Sequence, residues 1–287
     1  MNLANLDVSK YKRFFAFGCS FTNYIWPTWA DIIAQDIEVY QNWGQIGSGN
    51  HYIFNSVLEC DARNNFTKDD LVIIMWSSIE REDRYSNGKW LTAITEKDKK
   101  SLYGRQWFKS YGEDYRSCLI RDMAFIKSTQ TFLSAKNCDW ANFSMYSICN
   151  MDEEKLLQDG YADDKDVDLL IQRYLKLNRD LCDGKEITEP YVCDPDVLAL
   201  YKDAYSQIKY SVLDIVRQGH FLKDNLANFG DGHPTPIEHL NYLDTVLPNN
   251  LSLKAKQFAV EWESVVQSIK ERDVMPQKFE RPIIKRL

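Results

Sequence analysis

The run Leu71-Val72-Ile73-Ile74-Met75-Trp76 is apolar at every position, so a strand built from it needs both of its faces covered. That requirement is met by a central strand of a parallel sheet with helices on either side. The surrounding pattern agrees. Lys12 to Phe17 (KRFFAF) is a short β-prone run ending in Gly18, and Trp29 to Ile37 has the apolar spacing of a helix opened by Pro27. A second β-prone run, Ile37 to Trp43, leads into the glycine-rich segment Gly44-Gln45-Ile46-Gly47-Ser48-Gly49, after which Tyr52 to Cys60 is again helical in pattern.

Further along, Glu113 to Ala135 predicts a helix and Trp140 to Ile148 a fourth strand, so three or four β-α units follow in order. Residues 80 to 112 are polar and aromatic with little periodicity, too long for an ordinary connection, and read as a binding loop or lid. Residues 151 to 217 break the rhythm: acidic stretches alternate with amphipathic segments at Val167 to Leu177 and Val197 to Val216, which predicts a mostly helical insertion or cap. Helices near Pro236 to Asp244 and from Leu253 to about Ile269 close the chain, followed by a basic tail. The expected organisation is one α/β domain from residues 1–150 and 218–287, with residues 151–217 inserted.

Charge and composition narrow the function. With Lys+Arg 35 against Asp+Glu 42 the net charge is -7, so no global positive field attracts phosphate backbones or anionic lipid, and nucleic acid is not an expected partner. No stretch approaches the roughly 20 apolar residues that span a bilayer, and the amino terminus does not read as a signal peptide. Seven cysteines at 19, 60, 118, 138, 149, 182 and 193, an odd number without a CxxC pair, fit a reduced cytoplasm. No metal-ligand spacing and no phosphate-binding glycine loop occurs, so no cofactor is expected.

Three segments carry the chemistry. Gly18-Cys19-Ser20-Phe21-Thr22 follows the first strand and precedes a helix, a place where Ser20 would be exposed and nearby amides could stabilise an oxyanion. A serine there also caps helices, so this segment alone decides nothing. Asn42-Trp43-Gly44-Gln45-Ile46-Gly47 ends the second strand, where glycine lets main-chain N–H groups approach a developing negative charge, although an ordinary βα turn uses glycine too. Asp231-Gly232-His233-Pro234-Thr235-Pro236 holds a histidine in a proline-stiffened loop with an acid two residues upstream. A serine hydroxyl needs such an imidazole to take its proton, and a carboxylate orients the ring.

Together these segments resemble the SGNH/GDSL hydrolase superfamily, over residues 10 to 150 and 219 to 247. The resemblance implies a flavodoxin-like three-layer α/β/α sandwich, Ser20 as nucleophile, His233 as base backed by Asp231, and oxyanion donors at the backbone of Ser20 and Gly47. Three departures stand out. Cys19 replaces the family's aspartate, and Asp231 lies two rather than three residues before His233. The asparagine block after the third strand reads Trp76-Ser77-Ser78-Ile79-Glu80-Arg81, with Ser78 where the asparagine belongs. A hydroxyl is the shorter, weaker oxyanion donor. Arg81 is an alternative, or a solvated member of the Glu80 to Arg84 charge run.

The expectation is therefore a serine esterase acting on small acyl groups of a small-molecule or glycan ester. Acyl transfer to a sugar hydroxyl and non-catalytic glycan binding are the alternatives. The Ser20 loop is followed by Tyr24, Trp26 and Trp29. Trp29 fits a core face with Ile32 and Ile33, while Tyr24 and Trp26 are expected to line the entrance. His51, His220 and His239 are expected to be structural or exposed.

Overall fold

In the computed structural model, which describes residues 6–79, 81–93, 96–107, 115–145, 208, 211–218 and 233–271, the apolar run becomes a strand buried along its whole length. This strand, β3 (Asp70–Trp76), lies between β1 (Arg13–Phe17) and β6 (Asp139–Ser144), and β2 (Val39–Asn42) completes a four-stranded sheet in the order β2-β1-β3-β6. All three pairings are parallel. The fold is α/β, as the run predicts.

Strand alternation explains two separate cores. Phe14, Ala16, Leu71, Ile73 and Met75 point to one side, and Phe15, Phe17, Val72, Ile74 and Trp76 to the other. The first side is covered by α1 (Trp29–Ile33), α5 (Val212–Gln218), α6 (Pro236–Val246) and α7 (Leu253–Glu271). The second is covered by α2 (Asn50–Asn64) and α4 (Tyr115–Ser134). Each fully buried Phe or Trp on these faces contributes on the order of 2 kcal/mol relative to exposure. Trp29, with Ile32 and Ile33, sits in the first core as expected.

Register between β1 and β3 is pinned by charge as well as by packing. Arg13 stands opposite Asp70, and its Nε and Nη2 donate to the two carboxylate oxygens at 2.6 Å each. Asp70 is fully buried, and this paired geometry satisfies it.

Within residues 80 to 112, expected to form a binding loop or lid, the described parts hold regular structure. Glu82–Ser86 (β4) and Lys89–Ala93 (β5) form an antiparallel hairpin, and α3 (Glu96–Tyr103) follows. The two-residue turn is Asn87-Gly88, with φ of 50° and 79°. Positive φ at both central positions matches the twist of the flanking strands, and Asn-Gly supplies it at low cost.

Most of the expected insertion lies outside the described residues. Its carboxyl-terminal stretch instead joins the main core: Val212, Leu213 and Val216 are buried with the first face, and Ile208 bridges Asn142 of β6 in parallel. Among the described residues, no helix is long and apolar enough to cross a membrane.

Candidate active site

Because the four strands run parallel, the segments after β1, β2, β3 and β6 all emerge at one edge of the sheet. The chain passes from β1 to β2 on one side and then crosses to β3 on the other, leaving a crevice between the β1 and β3 ends where ligands bind in open α/β sheets. Ser20 follows β1, Gly47 follows β2, and Ser78 and Arg81 follow β3. They therefore share this edge.

Hydrogen bonds lace the first two segments together. Gln45 N donates to the Gly18 carbonyl at 3.0 Å, and Ser48 Oγ reaches the same oxygen at 3.3 Å. Asn23 Nδ2 donates to the Gly44 carbonyl at 2.6 Å, and Asn42 Nδ2 to the Thr22 carbonyl at 2.7 Å. The fit leaves no room for a side chain at position 18: a Cβ there would lie 2.1 Å from Thr22 Oγ1 and 3.0 Å from the Met75 carbonyl. Gly47 adopts φ 80°, the left-handed region that glycine enters without steric cost. Ser20 is only 3% exposed, contrary to the expectation of an open serine. The turn that carries it is tied to the Gly44–Gly49 loop by these bonds on either side of Ser20.

His233, from the far end of the chain, arrives at the same place. Its ring stacks on Tyr24 with centroids 3.8 Å apart and planes 14° apart, and it meets the edge of Phe21, the residue after Ser20, at 5.4 Å. Trp26 fastens the segment, since its indole N–H donates to the Pro234 carbonyl at 2.8 Å. Trp26 is 5% exposed, so it supports the histidine loop from beneath and does not line the entrance as expected. Tyr24 is partly exposed with one face taken by His233. Asp231 lies outside the described residues.

From Thr235 onward the sequence fixes α6 by a local device: Glu238 Oε2 accepts the Thr235 N–H at 2.6 Å, and Pro236 starts the helix. His239 on this helix is 1% exposed and meets Phe21 edge-on at 6.4 Å, so Phe21 separates two imidazoles. Burial, with the nearby His233 adding a smaller push, pulls His239 down to about 3. It stays neutral at physiological pH and fits the structural role expected of it. His51 is likewise structural, its ring stacked on Phe125 at 5.0 Å. His220 lies outside the described residues.

The third segment differs most from expectation. Arg81 is half-buried and its Nη1 donates to the Ser48 carbonyl at 2.9 Å, while Nη2 lies 3.9 Å from Met145 Sδ. That sulfur in turn contacts Cys19 Sγ at 3.6 Å. The guanidinium thus touches both neighbours of the Ser20 turn and is not a solvated member of a charge run. Ser78 is half-buried at the end of β3 and its carbonyl accepts the Arg81 N–H at 3.4 Å.

Two polar anchors hold this segment in place. Arg121 on α4 pairs with Glu82 and Asp122, and its Nη2 donates to the carbonyls of Ile79 and Arg81 at 3.0 and 3.2 Å. Asn50 accepts the Ser77 N–H at 2.7 Å and donates to the Ser77 carbonyl at 3.1 Å and to Asp122 Oδ2 at 2.6 Å. Asn50 is fully buried and its amide hydrogens are committed to these partners, so it braces the loop rather than offering a donor. Asp83 caps α2 across space, accepting from Gly49 N at 2.8 Å and Tyr52 N at 2.9 Å while holding Thr92 Oγ1 at 2.6 Å. The sequence reading missed all three roles; only the Asn87-Gly88 turn signalled that a hairpin stood beside the site.

Among the described residues, the edge offers the hydroxyls of Ser20 and Ser78, the partly exposed imidazole of His233, main-chain donors and the guanidinium of Arg81. Burial pushes the Cys118 and Cys138 thiols up to about 12, which removes them as nucleophiles. Among the described residues, no group of three His, Cys, Asp or Glu side chains has the arrangement to hold a metal ion. Compared with known proteins, the chain matches no family model and no curated sequence.

Proposed function

We propose that the chain is a serine esterase of the SGNH/GDSL type that removes small acyl groups from a small-molecule or glycan ester. The observation that carries this reading is the packing of His233 against Tyr24 and Phe21, which brings an imidazole from the carboxyl-terminal region to the turn bearing Ser20. The strand order β2-β1-β3-β6 also supports a flavodoxin-like frame, whose strands run 2-1-3-4-5. Ile208, paired in parallel beyond β6, fits the fifth position.

In the proposed reaction Ser20 Oγ attacks the ester carbonyl as His233 takes its proton. The main-chain N–H groups of Ser20 and Gly47, with Ser78 in the asparagine's place, hold the oxyanion. The alcohol leaves with the proton from His233, and water, activated by the same imidazole, hydrolyses the acyl-serine. Asp231 is assigned as the residue that orients the ring.

Labelling with a fluorophosphonate probe tests the proposal. Modification is expected at Ser20 and is expected to vanish in Ser20→Ala and in His233→Ala. Folded protein that takes up no probe would overturn it and favour non-catalytic ligand binding. The 3% exposure of Ser20 favours a second reading, acyl transfer to a sugar hydroxyl, because shielding from water protects an acyl-enzyme. Transfer moves ahead if acetyl esters are hydrolysed only when a sugar acceptor is absent.

A further inference from the structure

Arg81 differs from the other part-buried arginines. Arg13 is paired with Asp70, and Arg121 with Asp122 and Glu82. The Arg81 guanidinium is held instead by a carbonyl oxygen and a thioether, and among the described residues it meets no carboxylate. A guanidinium carries five N–H donors in a fixed fork, and these two contacts use only part of that capacity. Partial desolvation of a cation without a counter-charge is unfavourable.

The side chain is nevertheless built into place. Arg121 holds the Arg81 carbonyl at 3.2 Å, and Arg81 packs so close to Gly49 that an added Cβ there would lie 2.8 Å from Arg81 Cβ and 3.1 Å from its carbonyl oxygen. A protein carrying a net charge of -7 has thus fixed, at the edge shared by the Ser20 and Gly47 segments, a cation that meets no carboxylate among the described residues. Oxyanion stabilisation needs only neutral donors, which main-chain amides supply. A fixed fork matches a planar or tetrahedral oxyanionic group.

We infer that Arg81 reads a permanent negative charge on the substrate, a carboxylate, phosphate or sulfate group close to the ester carbonyl. This inference rests on the same site as the proposed esterase and names its substrate class. The net acidity of the chain would otherwise disfavour such substrates, so the selection is local.

The test has two arms. In the first, calorimetric titration of Ser20→Ala with sodium succinate, phosphate and sulfate is expected to detect binding of at least one anion. That binding should be weakened about tenfold or more in Ser20→Ala/Arg81→Gln, with Ser20→Ala/Arg81→Lys intermediate because it keeps charge without the fork. Which anion binds distinguishes the three chemistries. In the second arm, kcat/KM is compared for p-nitrophenyl acetate and the mono-p-nitrophenyl ester of succinic acid. The charged ester is expected to be preferred, and Arg81→Gln should erase about ten- to a hundredfold of that preference, mainly through KM. Thermal unfolding checks that each variant folds, and the lysine variant serves if glutamine does not.

Failure of all three anions to bind overturns the inference. So does an equal loss on both esters in Arg81→Gln, which would make the residue an oxyanion donor or a loop support. Arg81-dependent anion binding in a protein that hydrolyses neither ester leaves the inference standing and removes the esterase, so the two ideas fail separately.

Discussion

The indole N–H of Trp26 donates to the main-chain carbonyl of Pro234 at 2.8 Å, a bond that joins the first βα connection to the segment bearing His233. Tyr24, two residues earlier, stacks on the imidazole itself. One short stretch after β1 therefore both carries Ser20 and sets the position of the His233 ring, its proposed base.

Replacing Trp26 by Phe keeps most of the buried ring but removes the donor. We expect a stability loss of about 1 kcal/mol from the missing hydrogen bond. Labelling of Ser20 by the fluorophosphonate is expected to slow by about ten- to a hundredfold, because small displacements of a base are costly. Stopped-flow labelling of the folded variant checks this, and an unchanged rate would mean that the Pro234 carbonyl does not govern the imidazole.

Asn50 ties Ser77 to Asp122 through three buried bonds. Asn50→Leu should destabilise the fold by about 3 kcal/mol, since it strands a main-chain N–H, a carbonyl and a carboxylate oxygen in the interior. Asn50→Asp should be worse, because it sets a second carboxylate against Asp122. Urea denaturation measures both, and equal stability of the two variants would argue against a charge contact at this point.

His239 links stability to pH. Burial holds it neutral in the fold, down to about 3, whereas the unfolded chain takes up a proton near 6.5. The folded state therefore binds fewer protons, and its stability is retained above about pH 6.5 and lost progressively as pH falls towards 3. Between pH 7.5 and 5.5 the loss from this residue is about 1.4 kcal/mol. His239→Leu removes that contribution and a buried ring nitrogen, Nδ1, that has no hydrogen-bond partner among the described residues. Urea midpoints at the two pH values should converge in the variant relative to wild type, and parallel losses in both proteins would refute the assignment.

What could be read from the residues is uneven, and for physical reasons. β3 was legible because unbroken apolarity admits few environments, and α6 because its start is written locally in Thr235, Pro236 and Glu238. Ser20 and His233 were legible as candidates through their segments, yet the burial of Ser20 was not, since burial is set by tertiary packing. The hairpin carried a plain signal in Asn87-Gly88, obscured by the polar residues around it. The parts played by Asn50, Asp83 and Arg81 were out of reach, because each rests on a partner at least about 27 residues away in the chain.

One carboxylate, Asp83, terminates the second helix and clasps the hairpin at the same time. If the two elements separate, the main-chain N–H groups of Gly49 and Tyr52 at the helix start lose their acceptor. The glycine loop that feeds this helix and the ribbon beside it must then form, and come apart, as one cooperative unit.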